Sequence, residues 1–200
     1  MKILFVGDSL TYGQELENLS DRYSDVIGRE LNVEVVNIAG EGLSNDAIVR
    51  KTITYFEEGN TADLVIFQFT FRNRAESFVN GMLLRFQRSR KYAENYYKYF
   101  YTEEVGQYNY DKNQYFLEVF LKSIGVPFRM LTVQEKDLTK AKDYGYDQFK
   151  KTEPYLLTYR KDQRLPKGHP NAEAHRMLAM EIIDELNHNQ LLDNLHRGNS

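Results

Sequence analysis

Three short apolar runs separated by helix-length amphipathic stretches constrain this chain more than any other feature. The runs are Ile3 to Val6, Val33 to Ile38 and Asp63 to Phe69, with a shorter fourth at Val126 to Leu131. Each is nearly continuous in apolar residues instead of alternating, which suits strands buried on both faces of a parallel sheet. Between the first two, Tyr23, Val26, Ile27 and Leu31 recur at helical spacing, with Ser20 a candidate cap. Between the second and third, Ile48, Val49, Thr52, Ile53 and Phe56 mark one face of a helix that Ser44 is placed to cap. The order β, α, β, α, β predicts an α/β fold, a parallel sheet covered by helices. A chain of 200 residues, 42% hydrophobic, is long enough to bury one sizeable core, so a single domain over 1–200 is expected.

The spacing breaks between the third and fourth runs. A parallel crossover needs about a dozen residues, yet Thr70 to Gly125 is several times longer and holds much of the aromatic content, including Tyr92, Tyr96, Tyr97, Tyr101, Tyr110 and Phe120. It reads as a mostly helical insertion at about 74–124. Its first half is basic, with Arg72, Arg74, Arg85, Arg88, Arg90, Lys91 and Lys98 against Glu76 and Glu94. A second irregular stretch, 143–167, precedes a last helix that the pattern starts at Pro170 and that carries Leu178, Ile182 and Leu186 on one face.

Charge and composition remove several classes. A net charge of -3 disfavours non-specific nucleic-acid binding by the whole molecule, and the absence of cysteine excludes disulfides, thiolate metal sites and a cysteine nucleophile. The amino-terminal apolar run is too short for a signal-peptide core, and no stretch approaches the ~18 residues needed to span a bilayer. A cytoplasmic protein with no membrane segment is the expectation.

Chemistry collects where the strands end. Gly7 closes the first run and lets the chain turn out of the sheet, which sets Ser9 at the carboxyl edge where open α/β sheets place their ligands. A serine there can be a nucleophile with its own N–H available to an oxyanion, can join Thr11 in cradling a phosphate as in flavin-binding sheets, or can cap a helix. His169, in Lys167-Gly168-His169-Pro170-Asn171, is the natural partner for the first role. With Pro170 opening the helix, the dipole disfavours an imidazolium at 169 and keeps the ring able to accept a proton. His188 and His196 lie in the polar end of the chain, and His175, one turn into the helix, reads as a packing or hydrogen-bonding residue.

Gly7-Asp8-Ser9-Leu10, the Asn37-Ile38-Ala39-Gly40-Glu41-Gly42 loop, a block after the third strand and Gly168-His169-Pro170-Asn171 follow one another in an order that resembles the four blocks of the SGNH (GDSL-type) hydrolases. The resemblance covers both ends of the chain and leaves the aromatic insertion unmatched. It implies a three-layer α/β/α sandwich, an acyl-hydrolase activity, and no metal or organic cofactor. It also implies Ser9 as nucleophile, His169 as general base, and the N–H groups of Ser9 and Gly42 as oxyanion donors.

Two blocks depart from the family pattern. Where the family has Gly-x-Asn-Asp, this chain reads Thr70-Phe71-Arg72-Asn73, which leaves Arg72 and Asn73 level as the third oxyanion donor. The positions two and three before His169, where the family places its aspartate, hold Lys167 and Pro166. Three arrangements follow: a Ser-His dyad with a backbone carbonyl orienting the ring, a triad rebuilt with Asp162, or a fold that has lost most of its activity. The leading expectation is a serine esterase acting on an O-acyl ester, such as an acetylated sugar, with a small-molecule or carbohydrate ester as its partner. The alternatives are a catalytically silent protein that binds glycan or protein through the aromatic insertion, and a flavin or nucleotide binder that gives His169 no task. Asp8 is expected to order the turn.

Overall fold

The computed structural model describes residues 1–80, 82–133, 155–157 and 161–188. Five parallel strands form one sheet in the order β2-β1-β3-β6-β7: β1 (Lys2–Val6), β2 (Glu34–Asn37), β3 (Leu64–Phe69), β6 (Phe128–Thr132) and β7 (Tyr155–Leu156). The register pairs Ile3 with Val35 on one side of β1 and Phe5 with Ile66 on the other; further out, Phe67 pairs with Met130 and Leu131 with Tyr155.

Alternation along the strands divides the core into two layers. Ile3, Phe5, Leu64 and Ile66 face α2 (Tyr23–Leu31) and α6 (Ala172–His188), meeting Val26, Ile27, Leu178, Ala179 and Ile182. Leu4, Val6, Val65 and Phe67 face the other way, toward Ala47 and Ile48 of α3 (Asn45–Glu57) and Leu117 and Leu121 of α5 (Glu103–Ser123). Every residue of β3 is buried, as a strand covered on both faces requires. This is the three-layer α/β/α sandwich that the resemblance implied, built on the parallel sheet that the strand pattern predicted. The chain leaves β1 toward β2 through one helical layer and returns to β3 through the other, so the carboxyl ends of β1 and β3 flank a switch point, where α/β sheets open a crevice.

Of three local expectations, two change. The helix predicted from Pro170 starts at Ala172, because Asn171 is the better cap: its Oδ1 accepts from the Ala174 N–H at 2.9 Å, while Pro170 bridges to Arg164. Ser20 does not cap α2; it lies in a 3₁₀ turn, Leu19–Asp21, that Asn18 caps, and α2 follows from Tyr23. Ser44 does cap α3, accepting from the Ala47 N–H at 3.2 Å.

The segment after β3 opens with an antiparallel hairpin, β4 (Ala75–Val79) and β5 (Met82–Phe86), before α4 (Glu94–Tyr99) and α5. The hairpin was not anticipated, since Met82-Leu83-Leu84 breaks the alternation that would mark a strand with one face in water. α5 is the crossover helix itself, and Tyr110 on it donates to Thr132 at 2.9 Å and packs edge-on against Phe69. Tyr97 and Tyr101 pack beneath the Arg88 guanidinium, and Tyr96 stacks on Phe86 at 4.5 Å, so several of the aromatic residues fasten the segment to itself. No helix among the described residues is long and apolar enough to cross a membrane.

Candidate active site

Ser9 opens a one-turn helix, α1 (Ser9–Tyr12), directly after β1. The turn is tight because nothing else fits: a Cβ on Gly7 would stand 2.7 Å from Thr11 Cβ and 2.8 Å from Gln68 Oε1. Those neighbours are fixed, with Thr11 Oγ1 donating to Gln68 Oε1 at 2.9 Å and the Asp8 N–H reaching the same oxygen at 3.2 Å. Asp8 orders the turn. Its Oδ1 caps α1 through the Leu10 N–H at 3.0 Å, and its Oδ2 accepts from Thr70 Oγ1 at 2.6 Å and Arg74 Nη1 at 2.7 Å. The Ser9 N–H is the first of α1 and has no acceptor among the described residues, leaving a donor at the helix start.

Asn37 ties in the second block. Its Nδ2 donates to the Thr11 carbonyl and its Oδ1 accepts from the Ala39 N–H, which brings the 39–42 loop alongside the serine turn. Gly42 takes a left-handed φ of 63°, and Gln87 Nε2 donates to its carbonyl at 2.7 Å, turning that peptide's oxygen away toward the hairpin.

His169 stands on a loop tied back on itself: its carbonyl accepts from the Leu165 N–H at 2.7 Å, and Gly168 beside it has φ 96°. The group against its ring is Glu15. Glu15 Oε2 lies 2.6 Å from His169 Nδ1, while the same carboxylate accepts from the Lys167 N–H at 3.0 Å and the His169 N–H at 3.4 Å. Burial pushes the Glu15 pKa up, but the bonds from the His169 ring and the two backbone N–H groups outweigh it, and the net shift is downward. An ionised carboxylate at Nδ1 makes that nitrogen the proton carrier and leaves Nε2 free to accept. α1 ends at Gly13 with φ 79°, and Glu15 itself holds φ 72°, a conformation unfavourable for a side-chain-bearing residue that persists where the surroundings over-determine it.

One cavity of about 430 Å³ is lined by both Ser9 and His169, together with Gly42, Arg74, Arg85, Gln87, Arg90 and Tyr92. The two ends of the chain therefore meet over the crevice beside β1. Asp162 does not take the orienting position: it is exposed, in a 3₁₀ turn at Lys161–Gln163, and Nδ1 is occupied by Glu15. Arg72 turns toward α5, with Nε on Glu103 at 2.9 Å and Nη1 on Gln107 at 3.0 Å. Asn73 lines a smaller neighbouring hollow with Phe71 and Arg88. Of the block 70–74 directly after β3, Arg74 is the residue on the lining of the Ser9 cavity, and sequence register did not single it out. His175 is a packing residue: fully buried, stacked on Tyr23, it accepts from the Tyr23 N–H at Nδ1, and burial pushes its pKa down to about 4.

The fold is that of the SGNH (GDSL-type) hydrolases, as solved structures show. A G-D-S-L family lipolytic protein from Desulfitobacterium hafniense superposes with a TM-score of 0.54 at 14% identity, covering 90% of this chain and 95% of its own. An acetyl xylan esterase from the rumen bacterium Butyrivibrio proteoclasticus gives 0.60 at 13% identity, covering 94% of this chain but 64% of its own. A psychrotrophic esterase from Pseudoalteromonas, in a structure inhibited by monoethylphosphonate, gives 0.57 at 12% identity over 93% and 96% of the two chains. This chain thus spans about two thirds of the length of the acetyl xylan esterase. No protein-family model and no curated protein matches the sequence.

Proposed function

We propose that this protein is a serine esterase that hydrolyses an O-acyl ester through Ser9, His169 and Glu15. The observation that carries the reading is the His169 ring, held at Nδ1 by Glu15 and opening on the same cavity as the buried Ser9. The acid of the triad comes from just after the nucleophile, so the missing aspartate before the histidine is replaced from the opposite end of the chain.

In this mechanism Ser9 Oγ attacks the ester carbonyl as His169 Nε2 takes its proton, and the carboxylate of Glu15 stabilises the imidazolium that forms. The N–H groups of Ser9 and Gly42 donate to the tetrahedral oxyanion, and Arg74, on the lining of the same cavity, takes the role of third donor that Arg72 or Asn73 was expected to fill. His169 then protonates the leaving alcohol, and water repeats the steps on the acyl-enzyme. An acetylated sugar is a reasonable substrate, because similar folds include an acetyl xylan esterase.

Intact-mass analysis after fluorophosphonate treatment tests the reading. One adduct should form on Ser9 and be lost in Ser9→Ala and His169→Ala, with p-nitrophenyl acetate turnover lost in parallel. A folded protein that neither labels nor turns over the ester overturns it and favours a silent binding protein.

A further inference from the structure

The hairpin after β3 has two chemically different faces. Leu83 and Arg85 of β5 and Gln87 just beyond it, two residues apart, line the Ser9 cavity, whereas Leu84 and Phe86 line a separate hollow with Tyr96 and Tyr108. The face over the serine is the polar one. Arg85, Arg90 and Arg74 all reach that cavity, and among the described residues Glu41 is the single carboxylate on its lining.

The three arginines are not equivalent. Arg74 is neutralised by Asp8 at 2.7 Å. Arg85 reaches only the Glu41 backbone carbonyl, at 3.4 Å, and neither it nor Arg90 has an acidic side-chain partner among the described residues. The cross-strand neighbour of Arg85 is Glu76, the residue best placed to neutralise it, yet Glu76 is held by two bonds from Arg50 at 3.0 and 3.1 Å. Arg88 turns away, over Tyr97 and Tyr101. Among the described residues, two guanidinium groups without an acidic side-chain partner therefore line the serine cavity, against the one carboxylate of Glu41, while Glu76 is committed to Arg50.

Resting on the esterase reading above, we propose that the substrate is an anionic ester: one bearing a carboxylate, sulfate or phosphate that Arg85 and Arg90 hold while its acyl group lies against Ser9. Guanidinium groups grip such oxyanions by paired, charge-assisted hydrogen bonds, and a cleft lined by one sign of charge concentrates ligands of the other.

Matched probes test it: 4-acetoxybenzoate against its neutral methyl ester for a charge on the alcohol, and p-nitrophenyl hemisuccinate against p-nitrophenyl butyrate for a charge on the acyl group. At least one anionic probe should exceed its neutral partner in kcat/KM by about tenfold or more, and 0.5 M salt should shrink the ratio. The ratio should fall to about one in Arg85→Gln/Arg90→Gln and be largely kept in Arg85→Lys/Arg90→Lys, which holds the charge. Binding of the same probes to Ser9→Ala by calorimetry separates the two readings. If the wild type hydrolyses nothing but Ser9→Ala still binds an anionic probe in an Arg85/Arg90-dependent way, the esterase reading falls and the anion site stands. Equal handling of charged and neutral members of both pairs, or a preference that survives the glutamine variants, overturns the proposal.

Discussion

Replacing Glu15 with glutamine probes the site at its most informative atom. The carboxylate accepts from three donors: the Lys167 N–H on Oε1, and the His169 N–H and ring Nδ1–H on Oε2. An amide has one acceptor oxygen, so in either orientation its NH₂ faces a donor. If the NH₂ faces the ring, it favours the tautomer with the proton on Nε2, where the base can no longer accept from Ser9; if it faces Lys167, the loop carrying His169 loosens. In both cases the imidazolium loses its counter-charge at 2.6 Å. An amide in place of the triad aspartate costs ~10⁴ in kcat in the chymotrypsin-like case. Here the side chains of His169 and Glu15 are 22% and 12% exposed, so solvent screens part of the loss and about 10³ is expected. Glu15→Asp keeps the charge but draws it back by one methylene, and should fall between glutamine and wild type. The assay is kcat for p-nitrophenyl acetate beside the rate of fluorophosphonate labelling, with thermal melting to confirm folding. Asp162→Ala, on an exposed turn, should stay within about twofold of wild type. A folded Glu15→Gln variant within about threefold of wild type, or an equal loss in Asp162→Ala, refutes the reasoning.

Other outcomes follow from the same geometry. His175 is neutral when folded with a pKa of about 4 against 6.5 when free, so the unfolded chain binds the extra proton between those values. Stability should therefore rise with pH across that window by about 3 kcal/mol, at 1.36 per unit, seen as a shift in urea midpoint that His175→Gln flattens; identical slopes in the two proteins count against it. Glu15, whose pKa is lowered in the fold, adds a loss in the same direction as pH falls below its ordinary 4.5. Gly7→Ala drives a methyl into Thr11 and Gln68 and should cost about 1–3 kcal/mol in chemical denaturation together with Ser9 labelling. Arg74→Ala leaves the Asp8 carboxylate, whose side chain is 4% exposed, without its cation and should cost about 3 kcal/mol; Arg74→Ala/Asp8→Asn should recover part of that, and a double variant no more stable than the single one would argue against the pairing.

Periodicity carried the architecture of this protein. Nearly continuous apolar runs alternating with amphipathic stretches were enough to imply a parallel sheet covered by helices, because burial on both faces leaves a local trace in strands such as β1 and β3; β2, at the edge of the sheet, is less buried than the pattern predicted. The placing of Ser9 and His169 on one cavity was legible too, since each sits in a short motif whose glycines and turn residues mark a strand end or a helix entrance. Glu15 was not. Its partner is 154 residues away, and nothing in Gly13-Gln14-Glu15 distinguishes a carboxylate aimed at an imidazole from one in water. Arg74, paired with Asp8 across 66 residues, and the hairpin that turns Arg85 toward the serine while Arg88 faces the tyrosines were likewise hidden. Local composition sets which element a segment becomes and which face it buries. Which charges end up opposite one another depends on how crossovers bring distant strand ends to the same crevice, and only the folded chain decides that.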